Sequence, residues 1–305
     1  MLDRRRFTGE AVLIGVTVIW GATFSVTRGG LQFISPLLLI AIRFLGSFII
    51  VAPVLALLGH KFWKALLPGI ILGLFLSVGD SLQTIGLQYT TAARSAFVTY
   101  LFAVFVPPLQ RLVANRRLSP ANLVGLGVVL AGTAILTRPW TTGGWNRGDM
   151  LTLGGAVAFA FFVVLVDRFS RRHDPLLFVP AEFAVGGLVA LIAAFVTDAT
   201  GVESLQFVAN RELLLAIGFL SLIGTVGALG IQTVVQARTT PIRATTIYAL
   251  EPVFAAFFGR IILSERMAPV EIAGAAVIVF GVLLSQLWGV NWNWPRRRES
   301  GARSQ

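Results

Sequence analysis

The costliest pair of residues in the chain is Glu251-Pro252, set inside the apolar stretch 239–265, TTPIRATTIYALEPVFAAFFGRIILSE. A carboxylate at bilayer depth is expensive, and a proline removes the donor that the carbonyl of Tyr248 would use in a helix. Tyr248 lies three residues before Glu251 and shares its helix face. Hydroxyl, carboxylate and freed carbonyl together form a polar patch suited to a substrate amine or a proton. The competing reading is a satisfied interhelical bridge, with Pro252 supplying a kink.

A second acid lies in the first half. Ser77, Asp80 and Gln83 follow one another at three-residue spacing and form one polar stripe, with few cations available to neutralise Asp80. Facing water, such an acid recognises an ammonium group or relays a proton; buried, it would bond Gln83 or Gln232. Arg43 and Glu182 have opposite signs inside apolar blocks. A buried arginine suits a substrate carboxylate, but the pair is read here as gating or structural, able to lock two parts of the molecule together. Trp20, Thr99 and Tyr100 are candidate walls of a cavity, because aromatic rings hold apolar, aromatic or cationic groups; packing explains such rings as well. Pro107-Pro108 are expected to break their helix below Tyr100, as Pro252 breaks its own.

These residues need a membrane around them. The chain has 305 residues, 56% hydrophobic and only 13% charged, with a mean hydropathy of +0.81, whereas a soluble domain is about a quarter charged. The blocks 11–27, 118–137, 150–166 and 272–290 carry no charge, and each approaches the ~20 residues that cross a hydrocarbon core. The fold class is therefore an all-α polytopic membrane protein. Ten spans are read, at 11–29, 33–57, 64–87, 92–113, 119–137, 149–167, 175–197, 212–236, 241–263 and 270–289.

The net charge of +11 does not point to nucleic acid, because the basic residues sit in short connections. Seventeen of the 25 lysines and arginines fall on one side of the ten-span topology and seven on the other. This bias predicts both termini in the cytoplasm. Arg4–Arg6 anchor the first span rather than mark a cleaved leader. All the tryptophans except Trp20 lie at span ends, as interfacial anchors do. Without cysteine there is no thiol chemistry, and His60 and His173 alone cannot build a metal site. Neither cofactor nor metal is expected.

The chain repeats itself. Pro36 and Arg43 reappear at an offset of 139 as Pro175 and Glu182; Gln83-Thr84, Arg94, Pro120, Gly125 and Gly132 reappear at 149 as Gln232-Thr233, Arg243, Pro269, Gly274 and Gly281. A longer polar loop near 198–210 accounts for the difference. The units are 1–138 and 149–290, joined by 139–148 and followed by a basic tail, 291–305. Five spans per unit is an odd number, so the two copies must be inverted, the architecture of secondary transporters. The small-residue stripes Gly125/Gly132 and Gly274/Gly281 are read as helix packing.

The sequence resembles the EamA branch of the drug/metabolite transporter superfamily. The likeness covers essentially the whole chain. It rests on Trp20-Gly21 with Phe24, Pro36 and Arg43, residues 86–91 (GLQYTT), Leu250-Glu251-Pro252, Glu265 and the paired glycines. Arg116-Arg117 depart from it, standing where the family often carries an acid. The resemblance implies a ten-helix exporter of amino acids and other metabolites in the bacterial inner membrane.

The expectation is thus a secondary transporter of amino acids or drug-like amphipathic molecules, working by alternating access. Its site residues are Trp20, Asp80, Gln83, Thr99, Tyr100, Gln232, Tyr248 and Glu251, with Arg43, Glu182, Pro107, Pro108 and Pro252 in gating or structural roles. Its partners are a small-molecule substrate, the bilayer and, where transport is coupled, protons; it is a monomer or homodimer. No GxxxxGK[ST] motif suggests ATP drive. The alternatives are a membrane-embedded lipid-modifying enzyme, an exchanger of nucleotide sugars or phosphorylated metabolites, and a non-transporting receptor.

Overall fold

The computed structural model describes residues 4–113, 115, 120–138, 140, 145–262 and 268–288. Expectations placed on Arg116-Arg117, Glu265, Trp292, Trp294 and the tail 291–305 lie outside the described residues. The regular secondary structure of the described residues is helical, apart from one isolated antiparallel bridge, Ile34 with Phe207. In order they form α1 (Arg4–Gly30), α2 (Pro36–Leu58), α3 (His60–Leu87), α4 (Ala92–Tyr100), α5 (Phe102–Leu112), α6 (Pro120–Thr137) and α7 (Arg147–Phe169). These are followed by α8 (Val179–Ala199), α9 (Arg211–Gly218), α10 (Gly230–Gln236), α11 (Pro241–Tyr248), α12 (Glu251–Ile262) and α13 (Pro269–Trp288).

Local chemistry places the helix starts. Proline occupies the first turn of α2 and α11, where its missing N–H costs nothing. Thr91 caps α4 by accepting from the amide of Arg94, and Asn146 with Asp149 forms a reciprocal capping box on α7. Gly59, at φ 53°, turns the chain from α2 directly into α3.

Eight stretches are long and apolar enough to cross a membrane: α1, α2, α3, α4–α5, α7, residues 175–199, 211–236 and 241–262. The remaining two expected spans carry shorter described apolar helices, Asn122–Leu136 and Ile272–Leu284. The protein is a multi-pass membrane protein. Its main helix pairings are α6 with α13, α3 with α7, α2 with α8 and α1 with α12. At the α6–α13 crossing a Cβ on Gly132 would sit 2.7 Å from the backbone nitrogen of Ile278. The glycines set that close approach.

Two features differ from the sequence expectation. The stretch 211–236 is not one regular helix: between α9 and α10 the chain runs as a π-helix, Phe219–Leu229, and Thr225 Oγ1 donates to the Leu220 carbonyl five residues back. The helix 92–112 breaks at Leu101 rather than at Pro107-Pro108, and α5 continues through both prolines. The break is a tightened turn. The Leu101 amide reaches the carbonyls of both Phe97 and Val98, and its own carbonyl accepts from Val104.

Candidate functional site

Seven stretches of helix converge on one buried cavity. α1 supplies Trp20, Thr23, Phe24 and Thr27; α2 supplies Arg43; α3 supplies Asp80, Gln83, Thr84 and Leu87. Thr99 and Phe102 flank the break between α4 and α5, Tyr248 and Glu251 flank that between α11 and α12, and Gln232 projects from α10. Phe159, Phe162 and Val163 of α7 complete the wall. The space open to the centre of a water-sized sphere is about 80 Å³. One water needs roughly 10–15 Å³ on that measure, so several waters or one small solute fit.

The charges in this cavity are one cation and two carboxylates. Arg43 Nη1 lies 3.3 Å from Asp80 Oδ1, and Arg43 Nε donates to Thr225 Oγ1 at 2.6 Å. Asp80 is therefore already matched by a cation, contrary to the sequence reading. Arg43 and Glu182 do not pair with each other either: Glu182 Oε2 accepts from Thr233 Oγ1 at 3.1 Å. The physical reason is reach. Arg43 and Glu182 sit on the packed pair α2 and α8, but Arg43 reaches α3 and the π-helix while Glu182 reaches α10. Glu251 lines the cavity, is 7% exposed, and makes no hydrogen bond or ion pair among the described residues.

The floor of the cavity is hydrogen-bonded. Gln236 Oε1 accepts from Tyr248 Oη at 3.0 Å and from Gln232 Nε2 at 2.8 Å, and Gln236 Nε2 donates to the Val163 carbonyl at 2.7 Å. Trp20 packs on Tyr248 with ring centroids 5.5 Å apart. In the other direction the lining reaches Thr27 and Leu87, at the C-terminal ends of α1 and α3, where Leu87 also borders a surface recess with Arg28 and Gln32. On the way, Gln83 Nε2 donates to Thr99 Oγ1 at 2.8 Å.

Tyr100 is the expected wall residue that the cavity excludes. Its side chain is fully buried against Phe102, and its hydroxyl has no partner among the described residues. Pro252 is buried at the start of α12; Pro107 and Pro108 lie inside α5, away from the lining.

Two ion pairs, one buried and one part-buried, join elements of the first half to elements of the second. Arg94, at the start of α4, holds Asp149, at the start of α7, through Nε–Oδ1 at 2.9 Å and Nη2–Oδ2 at 2.6 Å. Arg243, in α11, lies 3.4 Å from Glu10 in α1.

The EamA-like transporter family model matches this chain twice, over residues 7–138 and 146–287. The chain belongs to the EamA-like transporter family. It is 29% identical, over 93% of its length and 87% of the relative's, to an uncharacterized transporter of Archaeoglobus fulgidus. It is 28% identical, over 90% of its own and 89% of the other's length, to the uncharacterized inner membrane transporter YedA of Escherichia coli. A probable amino-acid metabolite efflux pump of Escherichia coli is 23% identical, over 91% of this chain and 94% of that one. A solved crystal structure has the same fold, with a TM-score of 0.71, 22% identity, and coverage of 92% of this chain and 97% of the other.

Within this EamA-family protein, sequence reasoning missed Thr225, Gln236 and the two ion pairs. A signal for the pairs was present: Arg94 maps onto Arg243 at the offset of 149, and Glu10 maps onto Asp149 at 139. Gln236 had no such signal, because its counterpart is Leu87, a residue that cannot hydrogen-bond through its side chain.

Proposed function

We propose that this protein is a secondary transporter that moves a small amine-bearing amphipathic metabolite across the inner membrane by alternating access. The observation that carries the reading is Glu251, a carboxylate left without a protein partner in an aromatic-lined cavity whose cation is already held by Asp80. The described lining then holds one positive and two negative groups. A cation restores balance, and Trp20, Phe102 and Tyr248 offer ring faces to it. Phosphorylated solutes fit poorly, since Arg43 is engaged. Release of the amine to a proton arriving on Glu251 would couple the two fluxes.

The inverted repeat supplies the motion. The helix breaks at Leu101 and at Ala249-Leu250 correspond at the offset of 149, and the pairings α2–α8 and α6–α13 join equivalent elements of the two halves. With both termini cytoplasmic, the cavity runs outward past Thr27 and Leu87, and the Gln236 network closes it inward. Both ion pairs coexist with this arrangement, so they act as pins that hold α4 and α11 to the opposite half while α5 and α12 swing. The chain's similarity to a probable amino-acid metabolite efflux pump supports amino acids or their amine derivatives as cargo.

The test is uptake into proteoliposomes of labelled organic amines, amino acids and sugar phosphates, with and without an imposed proton gradient. Saturable movement of an amine or amino acid is the expected result. Movement of sugar phosphates alone, or of none of the solutes, contradicts the reading.

A further inference from the structure

The face opposite the cavity mouth carries a second recess that transport leaves unused. It lies between the start of α3, the end of α5 and the end of α7, with a volume of about 760 Å³ on the measure used above. Its rim is basic: Lys64, Arg168, Arg171, Arg172 and His173. Arg171 is matched by Asp167 at 2.7 Å, and Arg168 donates to the Val113 carbonyl at 2.8 Å. The side chains of Lys64 and Arg172 make no hydrogen bond or ion pair among the described residues. The wall below the rim is apolar, formed by Leu67, Ile71, Leu112 and Phe169.

Ile71 belongs also to a shallow groove that continues along the contact of α3 with α7. The groove follows one face of each helix, from Ile71 to Val78 and from Gly154 to Phe161, at the i, i+3, i+4, i+7 spacing of a helical stripe. Phe75 and Phe161 stack within it, centroids 5.0 Å apart and planes 14° from parallel. From Lys64 to Val78 the helix rises about 21 Å at ~1.5 Å per residue. That matches half of a bilayer roughly 40–45 Å thick including head groups.

We infer that the recess and groove together form a binding site for one anionic phospholipid of the cytoplasmic leaflet, with its phosphate among Lys64, Arg168 and Arg172 and an acyl chain along the α3–α7 groove. Charge complementarity selects the occupant. The rim carries more cations than its one acid neutralises, at the depth of the head groups, and basic pockets between helices on that side recognise anionic head groups. A free phosphate would use the rim but leave the groove irrelevant.

The experiment measures binding of phosphatidylglycerol and of phosphatidylcholine to the purified full-length protein in detergent, by native mass spectrometry with a lipid titration. Wild type is expected to prefer phosphatidylglycerol at least tenfold. Lys64→Gln with Arg172→Gln should weaken phosphatidylglycerol about 25-fold, at roughly fivefold per cation, and leave phosphatidylcholine unchanged. Gly154→Leu, which fills the groove, should weaken phosphatidylglycerol and leave inorganic phosphate binding unaltered. Equal affinity for the two lipids, wild-type binding by the double charge variant, or indifference to Gly154→Leu overturns the inference. Because lipid binding is read without substrate, its failure leaves the transport reading standing.

Discussion

Removing Arg94 should destabilise the protein more than removing Arg243, although the two arginines are repeat equivalents. The Arg94–Asp149 pair is bidentate, with side chains 9% and 0% exposed. Truncating one partner of such a pair leaves a buried charge behind and costs about 3–5 kcal/mol. The Arg243–Glu10 contact is longer, at 3.4 Å, with Glu10 14% exposed, so a loss of roughly 1.5–3 kcal/mol, that of a charged hydrogen bond in a wetter setting, is appropriate. At ~2 °C per kcal/mol for a chain of this size, Arg94→Gln should lower the apparent melting temperature in detergent by about 6–10 °C, and Arg243→Gln by about half that. The Asp149 carboxylate keeps the Asn146 amide at 2.8 Å in either case. The helix cap should therefore survive, and Arg94→Gln with Asp149→Asn should recover part of the loss. Equal shifts for the two arginine variants, or strictly additive losses for Arg94 and Asp149, would refute the reasoning.

Asp80→Asn should abolish transport and also cost stability, because it leaves Arg43 buried beside a neutral amide; Arg43→Gln added to it should restore melting temperature but not transport, read by thermal denaturation alongside proteoliposome uptake. Gln236→Leu removes three hydrogen bonds from the cavity floor and copies Leu87 onto the other side, so substrate leak through unenergised proteoliposomes should rise several-fold. Gly132→Leu forces a side chain against the α13 backbone; overpacking of this kind costs about 1–3 kcal/mol or more, and the melting temperature should fall while substrate affinity in the folded fraction stays at the wild-type value.

The membrane-spanning helices were legible because apolar blocks and a polar-residue repeat are one-dimensional signals. Trp20, Gln83, Tyr248 and Glu251 announced themselves in the same way, as polar or aromatic groups with no reason to sit at bilayer depth. What stayed hidden depends on helix crossing. Nothing in the spacing of Arg43 shows that its guanidinium reaches α3 rather than Glu182, and nothing local marks Gln236 as the centre of a network. The break at Leu101 escaped because the proline rule looks for a missing donor. This break comes instead from a tightened turn in a sequence with ordinary donors. Tyr100 illustrates the converse: it adjoins Thr99 in sequence, but one helical step turns a side chain by ~100°, away from the cavity and into the core.

The central claim is that Glu251 is the substrate-facing acid, and its most direct test is Glu251→Gln assayed for both binding and transport. The substitution keeps size and removes charge from a residue that no described side chain depends on. Melting temperature should stay within about 2 °C of wild type, in keeping with a change that breaks no contact. Saturable amine uptake in proteoliposomes and amine-induced thermal stabilisation should both be lost. A well-folded Glu251→Gln protein that transports the amine at the wild-type rate would contradict the account.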